Sequence, residues 1–126
     1  MDKTNYSALT YIGLCIIFTV IGQLLVKHGV LQVSTSKTMT VGLVNYILRT
    51  FTNVWVIIGL LSAVVAAVAW TMALSRCQLS FAYPFMGLAI VLVLALSGIV
   101  FQEHSTMTRW VGVLIVCLGL FVASRG

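Results

Sequence analysis

Acidic side chains are almost missing from this sequence. Asp2 and Glu103 are the only two, set against seven lysines and arginines in 126 residues. Charged residues make up 7% of the chain, whereas about a quarter of an average soluble domain is charged. That scarcity excludes an ordinary water-exposed globular fold. Neither acid lies inside an apolar run, so no membrane-embedded carboxylate is available to carry a proton or to neutralise a cationic substrate. Cysteine is sparse too. Cys15, Cys77 and Cys117 sit in or beside apolar runs without a paired spacing, which points to small core residues and away from disulfides or a metal site. His28 and His104 are far apart, no nucleophile stands beside a base at a recognisable spacing, and no glycine-rich phosphate loop occurs. Neither an enzyme nor a cofactor is expected. The cations are scattered singly at the borders of apolar runs, without the basic cluster that nucleic acid requires.

What fills the chain instead is hydrocarbon: 61% of residues are hydrophobic and the mean hydropathy is +1.15. The expectation is an all-α membrane protein, a single four-helix domain over residues 1–126 with spans at about 7–26, 54–74, 81–101 and 109–124. The third span carries no charged side chain and is about 20 residues long, which at 1.5 Å per residue matches a hydrocarbon core of about 30 Å. The fourth is shorter, but Arg109 and Arg125 can reach the interface with their stems in lipid. The amino-terminal MDKTNYSALT has an acid, one lysine and no small-residue cleavage site after its apolar run, so the first helix is expected to be retained and not to act as a signal peptide.

Within the first span Tyr11, Cys15, Thr19 and Gln23 recur every four residues, a drifting stripe on one helix face that ends at Lys27-His28-Gly29. A Gln amide facing lipid would leave its donors and acceptors unpaired, at a cost of a few kcal/mol. The stripe therefore faces protein or a cavity. Helix gluing and a transport path both satisfy that requirement. After a polar LQVSTSK stretch, Val41, Val44, Ile47, Leu48 and Phe51 share one helical face, with Thr38, Gly42, Asn45 and Arg49 opposite. This amphipathic helix is too short to span and is expected in the headgroup plane or against the bundle.

The second span opens on Asn53 and the interfacial Trp55 and is crowded with small residues, among them Ser62, Ala63, Ala66, Ala67, Ala69 and Ala73. A tight turn at residues 75–78 leads to the third span, with Pro84 in its first turn. Gly87 and Gly98 lie nearly on one face of that helix, and Gly112 and Gly119 are one heptad apart on the next. Ser105 or Thr106 is placed to cap the fourth helix, with Glu103 capping or pairing in the loop. Four spans put Lys3, Arg76 and Arg125 on one side and Lys27, Lys37, Arg49 and Arg109 on the other, which is too even to set an orientation. A chain this small has little room for a shielded central path, so association with a second copy or a similar subunit is expected.

Ser80-Phe-Ala82-Tyr83-Pro84, Gly87, Glu103, Arg109-Trp-Val-Gly112, Leu114-Ile115 and Gly119 together resemble the hairpin that ends each half of the drug/metabolite transporter superfamily. Residues 11–27, with Ile21-Gly22-Gln23 and Lys27, resemble the first helix of its four-helix members. The resemblance covers most of the chain except about residues 30–52. Two branches fit. One is the small multidrug resistance family, antiparallel homodimers that exchange cationic compounds for protons. Its dimerising fourth helix looks like the Gly112 to Gly119 run. The other is the pair of small subunits that move undecaprenyl-phosphate-linked aminoarabinose across the bacterial inner membrane, to which Ala82-Tyr83-Pro84 and the Gly22 to Lys27 run look closer. The multidrug branch carries a carboxylate in the middle of its first helix, and lining up Val20-Ile21-Gly22 with that branch puts Thr19 at the acid's position. Lys27, Arg49 and Arg76, expected at headgroup depth, can instead hold a lipid phosphate through charge-assisted hydrogen bonds.

The reading is a dimeric flippase subunit for an anionic lipid-linked sugar, with a dimer groove lined by Thr19, Gln23, Ser62, Trp70, Tyr83 and Ser97 and an interface at Gly112 and Gly119. A small-molecule exporter and a non-transporting interaction subunit are the alternatives.

Overall fold

The computed structural model describes residues 3–35, 42–123 and 125. Among the described residues five helices follow one another: α1 (Lys3–Thr35), α2 (Leu43–Thr52), α3 (Val54–Leu74), α4 (Leu79–Phe101) and α5 (Met107–Ala123). Of these, α1, α3 and α4 are long and apolar enough to cross a membrane, while α5 is a shorter apolar helix of 17 residues. The expected positions Lys37, Thr38 and Val41, in the connection between α1 and α2, lie outside the described residues.

The first helix runs further than its sequence suggested. At 33 residues it is about 50 Å long, well over the thickness of a hydrocarbon core. Lys27-His28-Gly29 does not stop it, because Gly29 serves close packing here and not helix termination. A methyl on Gly29 would lie 2.6 Å from Val56 Cγ2 and 2.9 Å from Asn53 Oδ1. The LQVST segment beyond has no helix breaker and extends the rod to Thr35. There Ser34 Oγ meets the Tyr46 hydroxyl of α2 at 3.3 Å, and the Gln32 side chain takes a 3.5 Å hydrogen bond from Asn53 Nδ2.

α2 buries none of its residues: Leu43, Val44, Ile47, Leu48 and Phe51 are all exposed. Asn53 separates it from α3 and caps the latter, its Oδ1 accepting the Trp55 N–H at 2.9 Å. α3 then returns antiparallel along α1. Buried Val56, Gly59, Ser62, Ala66, Ala69 and Ala73 recur every three or four residues as the contact stripe, and the Ser62 hydroxyl donates to the Phe18 carbonyl at 2.7 Å. Small side chains let the two backbones approach, which is where association of apolar helices gains its van der Waals energy.

α4 starts at Leu79, two residues earlier than expected, so Pro84 falls in its second turn. It lies on the other side of α1, with Ala82 and Ala89 joining Ile12, Ile16, Val20 and Ala73 in the main core. α4 ends on Gln102, whose φ of 53° reverses the chain in the left-handed region. The Thr106 carbonyl then accepts the Arg109 N–H at 2.9 Å as α5 begins. α5 rests on α4, where Gly87 faces Leu120 and Cys117.

Candidate functional site

Thr19 and Gln23 of the α1 stripe form the floor of a groove, whereas Tyr11 packs against the core. Cys15 is buried beside Thr19, their Sγ and Oγ1 3.9 Å apart, while Thr19 is half-buried and Gln23 exposed. Two cavities, of about 740 and 560 Å³, share Thr19, Gln23, Lys27 and Met86 as lining. The larger is walled by α3 through Gly59, Ala63, Ala66, Ala67 and Trp70, with Tyr83 of α4. The smaller is walled by α4 through Ala89, Val93 and Ser97, with Glu103 and Val113 beyond. The polar face of α1 thus lies between two apolar walls, and the small residues of α3 give the groove its width.

The two ends differ in chemistry. Near the turn between α3 and α4, the Trp70 and Tyr83 rings meet edge to face at 5.7 Å, and the Arg76 guanidinium lies over the Tyr11 ring at 4.6 Å. At the opposite end Lys27 forms an ion pair with Glu103, and its ammonium sits 4.9 Å from the centre of the Phe101 ring. The hydrogen bond from Lys27 holds the Glu103 carboxyl below the usual carboxylate range. The charges of Lys27 and Arg109 add to that, and partial desolvation opposes it.

Of the six residues expected along the path, Thr19, Gln23, Trp70, Tyr83 and Ser97 line the two cavities, which one chain forms by itself. Ser62 is turned into the α1–α3 contact through its bond to Phe18. The three expected phosphate ligands are not brought together: Lys27 lines both cavities, Arg76 stands at the far end and Arg49 is exposed on α2. Gly112 and Gly119 are exposed on α5, and a methyl on either would meet nothing within 4 Å. Sequence reasoning placed Glu103 in the loop as a cap or local partner and missed its partner Lys27. The two are 76 positions apart, and no local pattern signals such a pair.

Fold and groove define a multi-pass helical membrane protein with a polar strip exposed between apolar walls. The chain is similar to a probable 4-amino-4-deoxy-L-arabinose-phosphoundecaprenol flippase subunit ArnE of Pseudomonas fluorescens, 31% identical over 71 residues, 56% of this chain and 62% of the relative. It is similar also to the corresponding ArnF subunit of Sodalis glossinidius, 41% identical over 66 residues, 51% of either chain. A third relative, ArnF of Proteus mirabilis, is 31% identical over 72 residues, 56% of this chain and 54% of that one. The match therefore spans between half and two thirds of these relatives. These similarities agree with the resemblance carried by the Gly22 to Lys27 run and by Ala82-Tyr83-Pro84. No family model matches the chain. No solved structure matches it.

Proposed function

We propose that the chain is one subunit of a flippase that moves an anionic lipid-linked sugar, of the undecaprenyl-phosphate type, across the bacterial inner membrane. One observation carries the reading: Thr19 and Gln23 of the α1 ladder, and the cation Lys27 that follows them, line both cavities, in a chain whose spans hold no acid. A phosphate brought into hydrocarbon without a counter-charge faces a penalty of several kcal/mol or more, and Lys27 supplies that charge at the groove mouth. Thr19 and Gln23 then offer hydrogen bonds to the sugar, while the prenyl chain stays in lipid along the apolar walls. Trp70 and Tyr83 meet edge to face in the lining of the larger cavity, and in this proposal those rings part during translocation. The names of the similar proteins as flippase subunits support the same substrate class.

In this reading α5 is the fourth span, α2 lies in the headgroup plane with Leu43, Val44, Ile47, Leu48 and Phe51 in the acyl boundary, and Arg49 and Arg76 meet phosphates at the two membrane surfaces. The open Gly112–Gly119 face of α5 receives a second copy or a similar small subunit. The test is reconstitution in liposomes, with and without a co-expressed similar subunit, and an amine reagent that cannot cross the bilayer. An aminosugar carried on undecaprenyl phosphate in the inner leaflet becomes labelled only if it is flipped. Labelling no faster than in protein-free vesicles, in both preparations, would sink the proposal.

A further inference from the structure

Lys27, the cation assigned to the substrate phosphate, already has an anion. The Glu103 carboxylate occupies it in the only ion pair among the described residues, and the pair ties α1 to the loop after α4 across the mouth of the smaller cavity. Three features make this a bond built to be exchanged. Both side chains remain reachable by water, 34% and 41% exposed, and ion pairs of that kind are weak. The charge of Arg109, at the start of α5, also favours the ionised Glu103 carboxylate, so Lys27 is not the sole cation acting on it. A phosphodiester carries one negative charge and offers the same oxygen acceptors as a carboxylate, so it replaces Glu103 charge for charge.

We propose that Glu103 is a displaceable counter-ion: it holds Lys27 and latches the α4–α5 loop to α1 until the phosphate of an anionic amphiphile takes its place. This rests on the function proposed above and deepens it. Selection follows from the competition. A neutral amphiphile has nothing with which to displace a carboxylate and leaves the latch shut, whereas a phosphorylated one both pairs with Lys27 and frees the loop.

The chain offers an unusually direct readout, because Glu103 is its only glutamate. In the full chain held in lipid nanodiscs and labelled with 13C-glutamate, the side-chain carboxylate gives one resonance. Farnesyl phosphate and farnesol are the probes, differing only in the phosphate, which as a monoester carries a charge of about −1.5 to −2 at pH 7 against the single charge of a phosphodiester. Farnesyl phosphate is expected to shift the Glu103 resonance away from its Lys27-paired position, and farnesol to leave it in place. Removing the competitor with Glu103→Gln is expected to tighten farnesyl phosphate binding about two- to fivefold, the range for an exposed ion pair, with farnesol binding unchanged. Glu103→Asp, which keeps the charge on a shorter stem, should fall between the two and serves if the Gln variant assembles poorly. If the wild-type chain shows no preference for farnesyl phosphate over farnesol, both the function proposed above and the exchange are wrong. If that preference exists and Lys27→Ala removes it, but the Glu103 resonance stays still and Glu103→Gln binds no tighter, the exchange alone is overturned.

Discussion

Gly22 of α1 and Gly59 of α3 face each other at the helix crossing, so close that a methyl on Gly22 would lie 2.9 Å from the Gly59 carbonyl oxygen, and one on Gly59 2.7 Å from that of Gly22. Each glycine is an empty place that the other helix's backbone fills. This contact sets the spacing of the α1–α3 pair beside Thr19 and Gln23, with which both glycines line the larger cavity.

Enlarging either glycine should force the helices apart. Gly59→Ala is expected to cost about 1–3 kcal/mol, the usual penalty for overpacking against atoms that cannot move aside. Gly13→Ala, where a methyl meets nothing within 4 Å, should be neutral or stabilising by about 0.5–1 kcal/mol. Thermal unfolding of the two variants in one mild detergent checks the contrast; equal midpoints would contradict the packing described.

Ser62 and Gln23 are both polar residues in apolar helices, yet they should behave oppositely. Ser62→Ala removes the hydroxyl bonded to the Phe18 carbonyl and is expected to lower stability by about 0.6 kcal/mol while leaving translocation near wild type. Gln23→Leu should fold normally and lose about tenfold in translocation rate, the equivalent of one good hydrogen bond to the moving headgroup. Parallel unfolding and flipping assays separate the two roles.

Among the cations, Lys27→Ala is expected to abolish translocation with assembly intact, since Lys27 alone of Lys27, Arg49 and Arg76 lines the cavities. Arg49→Ala should reduce the rate by a smaller factor, because Arg49 is exposed on α2 outside both. Wild-type flipping by Lys27→Ala in reconstituted vesicles would remove the role assigned to it.

Acid should loosen the groove mouth. Glu103 has a lowered pKa in the folded chain, so its contribution to stability is complete above the ordinary carboxylate value of about 4.3 and is lost as pH falls through the lower folded value. Lys27, Arg109 and Ser97 are the groups acting on it, and the two cations stay charged throughout that window. The fall in unfolding temperature between pH 5 and 3 is expected to be smaller in Glu103→Gln than in wild type. Identical profiles would mean that the carboxylate contributes nothing to the fold.

The four-residue ladder from Tyr11 to Gln23 was legible because a helix converts sequence spacing directly into a face, and apolar length similarly marked α3 and α4. The reach of α1 to Thr35 was not. Gly29 reads as a stop until Val56 and Asn53 are seen to occupy the space beside it. Ser62 and Gln23 were likewise indistinguishable by residue type, and only the neighbour across the gap separates a hydroxyl turned into a helix contact from an amide turned into a cavity.

By itself the sequence determined that this protein is helical and apolar, that its acids lie outside the apolar runs, and which face of its first helix is polar, because these follow from composition and from the 3.6-residue period. Tertiary structure alone decided that the Thr19–Gln23 end of this face stays open between α3 and α4 while Cys15 is buried, and that Lys27 meets Glu103. Both depend on how closely the helices approach, a distance fixed by glycines and alanines whose partners stand tens of residues away, and no local pattern encodes it.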